Sequence, residues 1–252
     1  MAGTVLTEVK NGVRTITLNR PDRLNAISGE LLTDFKAVLA EAETCKETRA
    51  IVLTGAGRSF CAGDDLKEFT EQARDKAAAQ RHIEDIQHTA RALMLGPHMV
   101  VGAIHGWAAG GGLEWAINCD LAIMAESTRC FFPEIPLGLN VTGGVSTMLP
   151  RLVGLQKARE LILFGEKFTA HEALAMGIAW KVVPDTELRA EAQRVGERIA
   201  SLPKGAVSDL KQLLNRASAM DIDGAMAMET EFTVRQFLNP ETQARARKFA
   251  NG

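Results

Sequence analysis

The sequence predicts an α/β fold that ends in a purely helical segment. Three observations carry this expectation. Short, continuous apolar runs at Ala50 to Thr54, Met99 to Ile104 and Leu121 to Ala125 read as buried strands. Segments with helical spacing separate them. From Asp185 onward the pattern is all helical.

The elements follow in order. Val5 to Leu18 reads as a β-hairpin, because Asn11-Gly12 lies between two alternating runs. Asn19 to Asn25 forms a loop around Pro21. Ser28 then caps a helix with an apolar stripe of Leu31, Leu32, Phe35, Val38, Leu39 and Ala42. After the strand at Ala50, the Gly-rich stretch Gly55 to Asp65 leads into Lys67 to Arg91, which reads as an exposed helical stretch. The strand at Met99 runs into Gly106 and the triple glycine Gly110-Gly111-Gly112, followed by a helix over Leu113 to Asn118. Gly143 and Gly144 precede a short helix ending near Leu149. Thr169 and Glu172 form a capping box. Gly177 closes that helix, and a strand from Ile178 to Val183 stops at Pro184. Asn239-Pro240-Glu241 starts the last helix.

A chain of 252 residues, 46% hydrophobic and 24% charged, can bury one sizeable core. Formal net charge is −2, so no overall positive field draws it to nucleic acid or an anionic membrane. No apolar run reaches the roughly 18 residues of a membrane span. The N-terminus goes straight into strand-like alternation, with no signal-peptide core or transit segment, which makes a cytoplasmic protein the expected reading, and a processed organellar protein would look the same. Cys45, Cys61, Cys119 and Cys130 show no CxxC pairing and the histidines no HxxxH spacing. Free thiols and no metal site are expected.

Two glycine-rich turns hold the candidate chemistry: Ser59 to Leu66 and His105 to Glu114. Each follows a buried strand, and the second opens a helix, where unpaired N–H groups favour negative charge. Two such turns converging would place one N–H each on a developing oxyanion. The same glycines would also serve plain tight turns and close packing. A dinucleotide fingerprint is discounted, because Gly55-Ala56-Gly57 lacks the third glycine at the required spacing. Glu114 and Glu134 are acids in apolar stretches. A buried carboxylate has a raised proton affinity suited to acid–base work. Alternatively, Glu114 would serve the helix dipole and Glu134 would be a surface loop acid.

At these residues the sequence resembles the crotonase (enoyl-CoA hydratase/isomerase) family. LNRPDRLNAI (Leu18 to Ile27), LTGAGRSFCAGDDLKEF (Leu53 to Phe69), HGWAAGGGLEWAINCDLAIM (His105 to Met124), FPEIPLGL (Phe132 to Leu139), Gly143-Gly144 and LPRLVG (Leu149 to Gly154) come in the family's order. The resemblance implies a spiral of repeated ββα units over residues 1–195, holding an acyl-CoA site. It implies a helical region over 196–252 that builds a homotrimer or a homohexamer. It also implies an acyl-CoA thioester substrate and no cofactor beyond the coenzyme A of that substrate. By motif position the oxyanion-hole N–H groups belong to Asp64 and Gly111. Ala62 and Asp64 to Lys67 (Asp65 and Leu66 between), with Arg23, Ala26 and Gly110, would bind substrate. Glu114 would activate water for attack at C3, and Glu134 would deliver the proton to C2.

Departures from the family pattern stand at Asp64, where a small residue is common, and at Val141-Thr142, which replaces a Pro-Gly pair. Trp115 is expected to narrow the acyl pocket. Reversible hydration of a 2-enoyl-CoA is the first expectation. Double-bond isomerisation by Glu134 alone, and other chemistries of the family, are the alternatives. A non-catalytic acyl-CoA- or RNA-binding relative is the reading from another class. RNA binding calls for a basic stripe with exposed aromatics, whereas here basic and acidic residues interleave and aromatics are 5%.

Overall fold

The computed structural model describes residues 3–73 and 75–250. Strands β1 (Val5–Lys10) and β2 (Val13–Leu18) pair antiparallel, with Lys10 opposite Val13. Asn11 and Gly12 both take positive φ, as a two-residue hairpin turn requires. Helix α1 (Gly29–Thr44) is capped by Ser28, whose Oγ accepts from the Leu31 amide at 3.1 Å. Strand β3 (Ala50–Gly55) follows, then α2 (Leu66–Gln72) and α3 (Lys76–Leu95). Next come β4 (Met99–Ile104), β5 (Trp107–Ala109), α4 (Gly111–Ile117), β6 (Leu121–Ala125) and β7 (Arg129–Phe131). Helices α5 (Val145–Val153) and α6 (Leu155–Phe164) lead to β8 (Phe168–Thr169), α7 (Ala170–Ala175) and β9 (Lys181–Val183). The chain ends in α8 (Leu188–Ala200), α9 (Lys204–Ala217), α10 (Ile222–Phe237) and α11 (Pro240–Ala250).

The large sheet has the order β1-β2-β3-β4-β6-β9, parallel from β2 onward. A second sheet has the order β5-β7-β8. Isolated bridges, Ile27 with Asp64 and Cys61 with Ala108, continue this second layer back to the first turns of the chain. Each turn thus gives a strand to the large sheet, a shorter pairing to the second layer, and then helix. This repetition is a spiral of ββα units.

Strand alternation divides the core. Ile51, Leu53, Val100, Ile104 and Met124 face one cluster together with α1, α3 and α4. Val52, Val101, Ala103, Ile123 and Ala125 face the other, which Leu188, Ala192 and Val195 of α8 cover. Residues 195 and 196 fall inside α8.

Two expectations need correction, and three short strands were not foreseen. The stretch from Lys67 to Arg91 is not simply exposed: α3 buries His82, Ile86, Thr89, Ala90 and Leu93. Its apolar spacing is sparse because His82 and Thr89 fill inward positions with hydrogen bonds. The strand expected from Ile178 is only Lys181–Val183, because the Ile178 and Ala179 amides close the end of α7 on the Ala173 carbonyl. Strands β5, β7 and β8 had no sequence signal, since two- and three-residue pairings are too short for periodicity. Thr169 and Glu172 form the expected capping box, and the Asn239 side chain accepts from the Glu241 amide at 2.9 Å. Among the described residues no helix is long and apolar enough to cross a membrane.

Candidate active site

The first glycine-rich turn is shaped by main-chain pairing. Asn25 Nδ2 donates to the Ala56 and Ser59 carbonyls at 2.9 and 2.8 Å, folding the segment back after β3. Ile27 N–H then donates to the Gly63 carbonyl, and Asp65 N–H to the Ile27 carbonyl. Parallel pairing through Gly63 and Asp65 turns the intervening Asp64 amide away from Ile27. In the second turn Gly110, at φ 50°, donates to the Phe131 carbonyl, and Gly111 opens α4. As first residue of a helix, Gly111 has no intrahelical acceptor for its N–H.

The two turns touch because they lack side chains. A Cβ on Gly63 would lie 2.9 Å from the Ala109 carbonyl oxygen, and one on Gly112 2.3 Å from that of Cys61. A cavity of about 370 Å³ opens between them. Arg23, Ala26, Ala62, Asp64, Asp65, Leu66, Lys67, Gly110 and Gly111 all line it, with Glu134. Sequence reasoning missed Phe69, Phe131, Leu137 and Leu139, which form its apolar wall. Only the adjacency of β7 and the 3₁₀ turn at Ile135–Leu137 brings most of them here.

The acids are both buried. Glu134 is 9% exposed, and its Oε2 has no hydrogen-bond partner among the described residues. Burial pushes its carboxyl up to about 7, with its own amide opposing and the charges of Glu114 and Asp64 adding. Glu114 is 1% exposed. Burial raises it too; hydrogen bonds from Thr142 oppose the rise, and Asp64 adds to it. Those bonds come from the Thr142 amide to Oε1 and the Thr142 hydroxyl to Oε2, each at 2.6 Å. The Val141-Thr142 departure therefore supplies the clamp on Glu114. Asn118 Nδ2 fixes the same loop by donating to the Gly143 carbonyl at 2.9 Å.

Trp115 does not narrow the cavity. It is fully buried, edge-on to Phe35 at 5.0 Å, and donates from Nε1 to Thr89 Oγ1 at 3.1 Å. It points from α4 towards α1 and α3. The Asp64 carboxylate is drawn to His82 on α3, with Oδ1 and Nε2 3.1 Å apart. All four cysteines are free. Among the described residues no group of three or more His, Cys, Asp and Glu side chains is placed to hold a metal ion.

A ββα spiral followed by packed C-terminal helices is the crotonase type of fold. The enoyl-CoA hydratase/isomerase family pattern matches residues 8–250. The short-chain-enoyl-CoA hydratase of Clostridium acetobutylicum is 36% identical over 228 residues, spanning 90% of this chain and 87% of that protein. The 1,2-epoxyphenylacetyl-CoA isomerase of Escherichia coli is 33% identical over 233 residues, spanning 90% and 88%. The crystal structure of an enoyl-CoA hydratase from Bacillus anthracis superposes with a TM-score of 0.93 at 30% identity, covering 98% of this chain and 96% of that one. The chain belongs to the enoyl-CoA hydratase/isomerase family.

Proposed function

We propose that the chain is an enoyl-CoA hydratase, adding water reversibly across a 2-enoyl-CoA to give a 3-hydroxyacyl-CoA. The observation that carries this reading is the buried pair Glu114 and Glu134 beside a cavity onto which the Asp64 and Gly111 turns open. The thioester oxygen accepts from the two amides, so charge gathers there as an enolate. Each such donor lowers the barrier by about 3–4 kcal/mol. Glu114, held by Thr142, activates the water that attacks C3. Glu134, which keeps a proton near neutral pH, delivers it to C2. Arg23 and Lys67 are exposed at the rim, where the phosphates of coenzyme A would pass. Ala26, Ala62, Asp65, Leu66 and Gly110 complete the substrate-binding wall.

Isomerisation is the second reading, and one observation favours it: Glu134 lines the cavity and Glu114 does not. One acid shuttling a proton between C2 and C4 then suffices. Exposed Leu210, Leu214, Ile222, Phe237 and Leu238 on and beside the C-terminal helices support assembly into a homotrimer or homohexamer. The near-ultraviolet absorbance of the conjugated enoyl thioester tests the reaction with crotonyl-CoA. Wild type is expected to consume it. Glu114→Gln is expected to slow hydration by about 10²–10⁴-fold while sparing double-bond migration of a 3-enoyl-CoA. Undiminished hydration by Glu114→Gln would refute the two-glutamate mechanism.

A further inference from the structure

We infer that His82 is a positioning residue for the oxyanion site, holding the Asp64 carboxylate away from the oxygen that the Asp64 and Gly111 amides receive. This rests on the reading of those amides given above. Asp64 plays two conflicting parts. Its main chain turns towards the cavity, yet its side chain is an acid on the same wall. Its charge is already felt at both Glu114 and Glu134. An enolate would add further negative charge to a cavity lined by the carboxyl groups of Asp64, Asp65 and Glu134. A short aspartate side chain also competes for nearby main-chain N–H groups, as Asp65 does when its Oδ1 accepts from the Lys67 amide.

The structure resolves this conflict with one contact. His82 Nε2 lies 3.1 Å from Asp64 Oδ1. A carboxylate only accepts, so the ring nitrogen is the donor. The His82 side chain is 8% exposed against 28% for Asp64, so the ring is the fixed partner and the acid is the group being held. The support behind His82 is stiff. Asp75 caps the start of α3 through the Ala77 and Ala78 amides, and Thr89 of α3 receives the Trp115 indole of α4. The helix that carries His82 is therefore braced on the helix that begins at Gly111. One helix pair sets both the second amide and the anchor for the acid beside the first.

The test uses the full chain and acetoacetyl-CoA, whose bound enolate absorbs in the near ultraviolet. Butyryl-CoA serves as a competitor that cannot form that enolate. His82→Leu is expected to weaken enolate formation between tenfold and about 10²-fold, the cost of a small misplacement, with butyryl-CoA affinity within about twofold. His82→Gln, which keeps a donor, is expected to retain most of the signal. In an Asp64→Ala background the same His82→Leu change is expected to cost less than about twofold, whatever Asp64→Ala itself does. If His82→Leu does not fold, His82→Phe, which keeps a ring but no donor, takes its place. An equal loss in both backgrounds, or no loss in either, overturns the inference. A wild type that binds acetoacetyl-CoA without the enolate band overturns the oxyanion reading itself, and the inference with it.

Discussion

Glu134 has a proton affinity set by where it lies rather than by what it is. Burial first, then the charges of Glu114 and Asp64, bring it to about 7. In the proposed hydration Glu134 serves as donor to C2 only while protonated, so that donor would be lost as pH rises through about 7. The proposed hydration consumes no net proton, so a singly protonated pair would serve both directions. The expected kcat/KM therefore falls as pH rises through about 7, in parallel for hydration and dehydration. A pH–rate profile in both directions checks this. A profile flat from pH 6 to 9 would remove Glu134 from the proton transfer.

At the scale of elements, the site depends on how closely two turns approach. Gly112 stands in α4, where alanine would ordinarily gain about 1 kcal/mol in helix propensity. Its Cβ would meet the Cys61 carbonyl oxygen at 2.3 Å and Cys61 Cβ at 2.7 Å, and much of that obstruction is main chain. Overpacking typically costs about 1–3 kcal/mol, which outweighs the propensity gain. Gly112→Ala is thus expected to destabilise the fold by up to about 2 kcal/mol in urea unfolding. It should also lower kcat more than it raises KM, because it separates the Asp64 and Gly111 amides. A stabilised variant would show that the turns have room to spare.

At the scale of the whole molecule, α9 is tied to the spiral by a buried cation. Lys211 donates to the Leu93 and His98 carbonyls at 2.5 and 2.7 Å and to Asp120 Oδ2 at 2.7 Å. Burial raises the Asp120 carboxyl, and the Lys211 charge is the largest influence holding it down. Removing the cation leaves Asp120 buried without its ion-pair partner. Lys211→Ala is expected to cost about 3–5 kcal/mol, and the double change with Asp120→Ala less than the sum of the two single changes. Thermal melts of the three variants measure that coupling; strict additivity would mean that the ion pair does not bind α9 to the core.

Local signals were enough to read much of this molecule from its residues. Asn11-Gly12, the Ser28 cap, the Thr169–Glu172 box and the continuous strands each act within a few residues, so their physics is written in adjacent letters. The two glycine turns and both glutamates were legible for the same reason: such residues are conspicuous in apolar surroundings. The sequence could not reveal partners distant in the chain. Thr142 reaches Glu114 across 28 positions, and His82 on α3 reaches Asp64 in the first glycine-rich turn. Trp115 turned inward because Thr89 and Phe35 offered a donor's partner and an edge-on ring. Composition and periodicity set the elements, because backbone conformation is a local preference. Tertiary packing decided which carboxylates are buried, clamped or neutralised, because desolvation and charge act through space.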